Sequence, residues 1–313
     1  IRVRFYFDIC AAGITTTTPE NSGLLVWTEE EYAALDTFTV DTAGEHIRGL
    51  TYSASGYYAD TQGIPAKNMV DQLYACAYVI LPDGSYVYSD VTQYSPVTYA
   101  QRILSRETSS QPMKELVVAM MNYGAAAQVF FNYKTDTLMN DWLTDEQRNY
   151  VWSDDLMRVL PTDTSKYKFT ANDQIVWRAA SVSFTGAVNQ NYYFEIPEEL
   201  MQGALKVELL YWSENDYNAL SELTVENARK IDFNTANCSA VIEGTAAKAL
   251  GDASYFAVHI VYEDGEAFSR LCVYSVHHYA RRLLSKNATS DAMKELAKAL
   301  VYYSCKAKNM FGG

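Results

Sequence analysis

Apolar side chains recur at Met113, Leu116, Val117, Met120, Tyr123, Ala127 and Phe131, the i, i+3, i+4, i+7 spacing of a helix that buries one face. The same spacing returns at Met293, Leu296, Ala297, Leu300, Tyr303, Ala307 and Phe311. A shorter helix is predicted ahead of each, over residues 97–104 and 276–284, with Tyr, Ala and Arg at matching places. The hydroxyl pairs Ser109-Ser110 and Thr289-Ser290 supply N-caps for the longer helices; Met293 and Lys294 leave the second without a capping box.

Elsewhere the pattern is that of strands. Residues 2–9 are β-branched and aromatic with partial alternation, followed by a polar, threonine-rich loop over 13–23. Residues 24–40 read as a strand, a Glu-rich helical turn and another strand. A long apolar run at 69–81 faces a short one at 86–89 across Pro82-Asp83-Gly84-Ser85, a turn with Gly where a positive φ is wanted. Residues 254–262 and 267–273 repeat that hairpin around Glu263-Asp264-Gly265-Glu266, and 174–184 form a further strand.

These parallels are a repeat. Residues 94–131 laid on 274–311 without gaps match at 16 of 38 positions, including Met113-Lys114-Glu115-Leu116 with Met293-Lys294-Glu295-Leu296. Leu24-Leu25-Val26-Trp27 corresponds to Leu209-Leu210-Tyr211-Trp212. The period is too long for a solenoid. The expected fold is α+β: two tandem copies of a β-sandwich-like antiparallel unit, each ending in a helical hairpin. Copy one with a connecting helix, capped by Thr144-Asp145-Glu146-Gln147 and running through Tyr150, is assigned to residues 1–160, and copy two to 161–313. The counterpart of strand 174–184 would precede Ile1, and the chain reads as a piece of a longer polypeptide.

A net charge of −13 argues against nucleic acid as a partner, and no apolar run approaches the ~20 residues of a membrane span. Five cysteines, odd in number and unmatched between the copies, fit neither a disulfide framework nor a zinc site. His277-His278 are adjacent, so their side chains diverge by about 100° on a helix and do not share a metal. The acid pairs Asp141/Asp145 and Asp154-Asp155 are candidates for glycoside chemistry or for weak calcium sites, and solvated acidic faces explain them equally well. No phosphate loop, nucleophile elbow or metalloprotease helix occurs. The reading is a chain without catalytic residues, metal or cofactor.

Tyrosine is the compositional anomaly, with 25 residues. Most must fill the core. Trp27 and Trp212 occupy matching positions and belong to the fold. Trp142, Trp152 and Trp177 have no counterparts, which leaves them available for stacking on sugar rings. Alternation over 174–184 sets Trp177 beside Ala179, Ser181 and Ser183, a ring among small neighbours, although it turns Arg178 inward. Tyr150, beside Trp152 in the connecting segment, and the pair Tyr57-Tyr58, read as a loop, complete the candidate carbohydrate-binding residues.

The phrase Asn122-Tyr123-Gly124-Ala125-Ala126-Ala127-Gln128, with Tyr94-Ser95 and Tyr99-Ala100 before it, resembles a repeat unit of large exported proteins of Gram-positive gut anaerobes. Copy two departs from it at Tyr302-Tyr303-Ser304-Cys305-Lys306-Ala307-Lys308, so its helix must pack differently there. Such proteins accompany polysaccharide-degrading systems, including starch adherence. The resemblance implies a secreted or cell-surface, non-catalytic role and carries over no binding residue. The expected function is binding of a neutral polysaccharide or oligosaccharide such as starch by aromatic stacking. The alternative is an adhesion or spacer module that meets other cell-surface proteins through buried aromatics.

Overall fold

The computed structural model describes residues 1–8, 18, 20–184 and 186–312. The chain forms two compact units, Ile1–Arg148 and Asn149–Gly313. Ile9, Cys10 and most of the threonine-rich segment lie outside the described residues.

The first unit begins with β1 (Val3–Phe7) and β2 (Ser22–Thr28). Thr28 then caps α1 (Glu29–Ala33) in a capping box with Glu31. Next come β3 (Glu45–Arg48), β4 (Thr51–Ser53), β5 (Gly56–Thr61), β6 (Leu73–Ile80), β7 (Tyr86–Tyr88) and β8 (Thr92–Tyr94). The unit closes with α2 (Pro96–Ser105), α3 (Gln111–Phe131) and the single turn α4 (Asp145–Arg148). All strand pairs are antiparallel. One sheet has the order β3-β2-β6-β7 with β8 also on β6, the other the order β1-β5-β4. Gly84 takes the expected positive φ, 84°. No strand forms over residues 36–40, where one was expected. Phe38 and Val40 instead fold back from a turn onto Trp27 and Tyr32, with the Phe38 and Tyr32 rings stacked at 4.4 Å.

The second unit contains β9 (Val176–Ser183), β10 (Asn189–Glu195), α5 (Glu198–Met201), β11 (Lys206–Ser213), α6 (Glu214–Ala219), β12 (Arg229–Asn234) and β13 (Ser239–Ile242). β14 (Ser254–Val261), β15 (Glu266–Phe268), β16 (Cys272–Tyr274), α7 (Val276–Leu284) and α8 (Asp291–Phe311) follow. The sheet order is β15-β14-β11-β12-β13-β10-β9, with β16 on β14. β12 turns the corner: residues 229–232 pair with β11, and Phe233 and Asn234 pair with β13. Tyr192, Phe194 and Ile242 on one side of the bend meet Leu209, Phe256 and Ile260 on the other, forming the main core. A second cluster, around Trp212, Tyr217 and Tyr255, covers the opposite face of β11 and β14. Because both faces are covered, β14 is buried along nearly its whole length and shows no alternation.

Residues 149–160, assigned to the first copy in sequence, pack within the second unit. Met157 lies among Ala280, Ala297 and Val301 of the helical hairpin, with Trp152 and Leu156 against them. Arg158 bonds Glu214 at 2.6 Å and pairs with Asp252. The α4 capping box forms as expected, Gln147 N to Thr144 Oγ1 at 3.3 Å and Thr144 N to Gln147 Oε1 at 3.1 Å, but the helix ends at Arg148 rather than Tyr150.

Both units end in a helical hairpin whose first helix is capped by serine: Thr98 N donates to Ser95 Oγ and His278 N to Ser275 Oγ, each at 3.1 Å. Of the longer helices, Ser290 caps α8 through Met293 N, whereas the Ser110 side chain makes no cap bond on α3. More than one face of α3 is buried, because the segment after it folds back over Gly124. A Cβ at Gly124 would stand 1.7 Å from Met139 Sδ. Asn122 donates to the Gln147 carbonyl at 2.8 Å, and Gln128 accepts from Met139 N at 2.9 Å. The Asn-Tyr-Gly-Ala-Ala-Ala-Gln phrase thus holds that segment down. Ser304 stands at the matching place in α8 and meets His277 instead.

Candidate functional site

Alternation along β10 sends Tyr192 and Phe194 into the core and leaves Asn191, Tyr193 and Glu195 on the outer face of the sheet. Tyr193 lies opposite Ser239, which in turn faces Asn234, so the three form a row across β10, β13 and β12. Asn191 lies opposite Val241, and its amide donates to Ser181 Oγ at 3.3 Å. With Lys230, Asp232, Asn237 and Glu243 these residues line an open cleft of about 710 Å³. Tyr193 is the exposed ring on it, at 37%. Amides, hydroxyls and charges of both signs therefore surround one aromatic ring on a rigid sheet. That is the chemistry of hydroxyl recognition beside a stacking surface.

The outer face of β1, β5 and β4 in the first unit also carries an exposed tyrosine, among charged rather than amide neighbours. Phe5 and Ala59 point inward, and Arg4, Tyr6, Tyr58 and Asp60 outward. Tyr6 is 49% exposed and its ring lies 5.7 Å from that of Tyr58. The Arg4 guanidinium lies 3.9 Å over the Tyr58 ring and grips Asp60 with two bonds, 2.7 and 2.9 Å. That bond, helped by the nearby Arg2 charge, outweighs burial and holds the Asp60 carboxyl below its ordinary range.

The predicted residues are not brought together. Tyr57 and Tyr58 belong to β5, not to a loop, and being adjacent on a strand they face opposite sides; only Tyr58 reaches the outer face. Trp177 does not stand open among small neighbours. The β9–β10 register shifts between Tyr193 and Phe194, leaving Arg178 as an extra residue on β9. The bulge turns Arg178 outward to pair with Glu195 and swings Trp177 inward, edge-on to Phe256 at 5.5 Å and Tyr274 at 5.6 Å. Tyr150 stacks on Tyr302 at 4.4 Å, and burial raises its hydroxyl pKa. Trp152 is half-buried beside Met157, and its Nε1 donates to Asp154. Trp142 is 37% exposed, with its Nε1 tied to the Met139 carbonyl at 2.7 Å. Trp27 and Trp212 are fully buried, as their matched positions implied.

Tyr6 and Tyr193 were missed. Their signal was present as Asn189-Gln-Asn-Tyr-Tyr-Phe-Glu195, where every second residue could face solvent, but the doubled tyrosine hides which ring does so. Among the described residues no group of histidine, cysteine and carboxylate side chains is arranged to hold a metal ion. The four described cysteines are free thiols, and burial pushes that of Cys272 up to about 12. Among the described residues no helix is long and apolar enough to cross a membrane. The chain matches no protein-family model and no curated protein.

Proposed function

We propose that this chain is a non-catalytic binder of a neutral polysaccharide, with starch-type α-glucan favoured, and that the ligand lies on the outer face of β9, β10, β13 and β12. The observation that carries the reading is the open cleft that Tyr193 shares with Asn191, Asn234, Asn237 and Asp232. A neutral sugar ring set on Tyr193 would bring no charge of its own and would find amide, carboxylate and ammonium partners for its hydroxyls. The reading extends to the first unit. The order β7-β6-β2-β3 of the first unit parallels β15-β14-β11-β12 of the second, and β4-β5-β1 parallels β12-β13-β10, in two sheets in the first unit and one in the second. With the helical ending, the matched tryptophans and the capping serines, this supports their being tandem copies of one module, which we read as exported and surface-displayed. Tyr6 then takes the place of Tyr193. Two tethered sites raise the apparent affinity of each.

The test is retention of the protein on insoluble starch, cellulose and xylan. Tyr193→Ala is expected to weaken retention on the preferred polymer by about tenfold, the loss of a stacked ring plus its buried area. Tyr6→Ala is expected to weaken it less, because Arg4 already covers Tyr58. Retention on none of these polymers by the folded protein would exclude the reading for these glycans.

A further inference from the structure

The edge strands β7 and β15 end in the same local construction. In the second unit Phe268 of β15 lies opposite His259, and Ser269 clasps β14, accepting from Val258 N at 2.9 Å through its hydroxyl. In the first, Tyr88 of β7 lies opposite Tyr78, and Ser89 clasps β6 through Ala77 N at 3.0 Å. What covers the two edges differs.

Beside β15 lies a stretch of the chain itself, residues 166–172, which leaves a turn at Lys166 and bends at Phe169. Ala171 bridges Phe268 in parallel, and Asn172 N donates to the Phe268 carbonyl at 2.7 Å. The Phe169 ring stacks on Phe268 at 4.1 Å, and Tyr167 donates to the Ser269 carbonyl at 2.7 Å. Over β7 no strand lies on the outer side among the described residues. Its Tyr86 ring is 43% exposed, and the Tyr86 and Tyr88 planes are within 11° of parallel at 5.9 Å. The floor beneath them is rigid: Tyr78 is buried and its hydroxyl meets His46 Nε2 at 2.6 Å.

We infer that the β7 edge is a docking site for an extended peptide strand that runs parallel to β7 and sets an aromatic side chain on Tyr88, as Phe169 does on Phe268. Strand addition of this kind draws affinity from main-chain bonds and selectivity from the side-chain pocket. One requirement is relaxed relative to the second unit. The Ser89 carbonyl already accepts the Cys76 thiol at 3.0 Å, so a tyrosine hydroxyl at the Tyr167 position is not needed and the stacked ring is the anchor. The inference rests on the correspondence of the two units but not on carbohydrate binding, which uses other strands.

The experiment titrates the full chain into a fluorophore-labelled peptide with the sequence of residues 166–172, followed by anisotropy. Saturable binding is expected. It should fall about tenfold or more with Tyr88→Ala, or when serine replaces the peptide's phenylalanine, and persist in Tyr88→Phe, which keeps the ring and controls for folding. Phe268→Ala should leave it intact, since that edge is already filled. Absence of saturable binding, or binding indifferent to Tyr88→Ala, overturns the inference. Chain carrying Phe169→Ala separates it from the correspondence between units: a second peptide bound supports both, whereas one peptide still sensitive to Tyr88→Ala supports docking at β7 alone.

Discussion

His277 shows how one position turns from a sequence curiosity into a structural device. It is buried, with Nδ1 accepting from Arg158 N at 3.2 Å and Nε2 3.1 Å from Ser304 Oγ. Burial first, and then the Arg158 charge, pushes its pKa down to about 4. An imidazole in the unfolded chain titrates near 6.5. Between these values the unfolded state binds more protons, so stability is complete above about pH 6.5 and is lost as pH falls towards 4. The loss across that window is expected to reach about 3 kcal/mol. Urea midpoints of the wild type and His277→Gln at pH 7 and pH 4.5 check this: the variant should show the shallower dependence, and equal slopes would refute it. Gly124 makes a steric argument at the same scale. Met139 fills the space a Cβ would need, so Gly124→Ala should cost about 1–3 kcal/mol, read as a lowered Tm.

At the scale of elements, the β9 bulge decides the fate of Trp177. Alternation counted from Phe184 backwards holds through Ala180 and then fails by one residue at Arg178, where the extra residue sits. Sequence already carried the warning, because strict alternation required a buried arginine. A bulge was the simplest way to relieve it, but bulges have no reliable single-residue signature. Trp177→Ala is therefore expected to act on stability rather than on ligand binding, lowering it by about 3 kcal/mol in chemical denaturation with polysaccharide retention unchanged. Reduced retention at equal stability would restore Trp177 to the binding surface. Cap changes are smaller. Ser275→Ala removes the bond from His278 N and should cost about 1 kcal/mol.

At the scale of the molecule, each unit owns its hydrophobic clusters and its helical hairpin. Fragments 1–148 and 149–313 are each expected to unfold cooperatively by circular dichroism. A fragment starting at 161 should be markedly less stable, since it lacks Met157 and the Arg158 clasp on Glu214 and Asp252. Comparable stability of the two second-unit fragments would show that residues 149–160 are dispensable.

Sequence alone determined what depends on local periodicity and on likeness at a distance: the helical hairpins, the antiparallel character of the strands, the turn at Gly84, the capping box at Thr144 and the burial of Trp27 and Trp212. These follow because helix and strand periods are properties of neighbouring residues, and because matched positions in a repeat point to shared packing. Tertiary structure decided which aromatic rings face solvent. Tyr150, Trp152 and Trp177 are as apolar and as unmatched as Trp142, yet they are drawn into packing by Tyr302, Met157 and Phe256, partners more than 70 residues away in two of the three cases. Tyr6 and Tyr193 are left outside because the strand register commits their neighbours Phe5 and Tyr192 to the core. Exposure is set by what lies across the sheet, and no window along the chain contains that information.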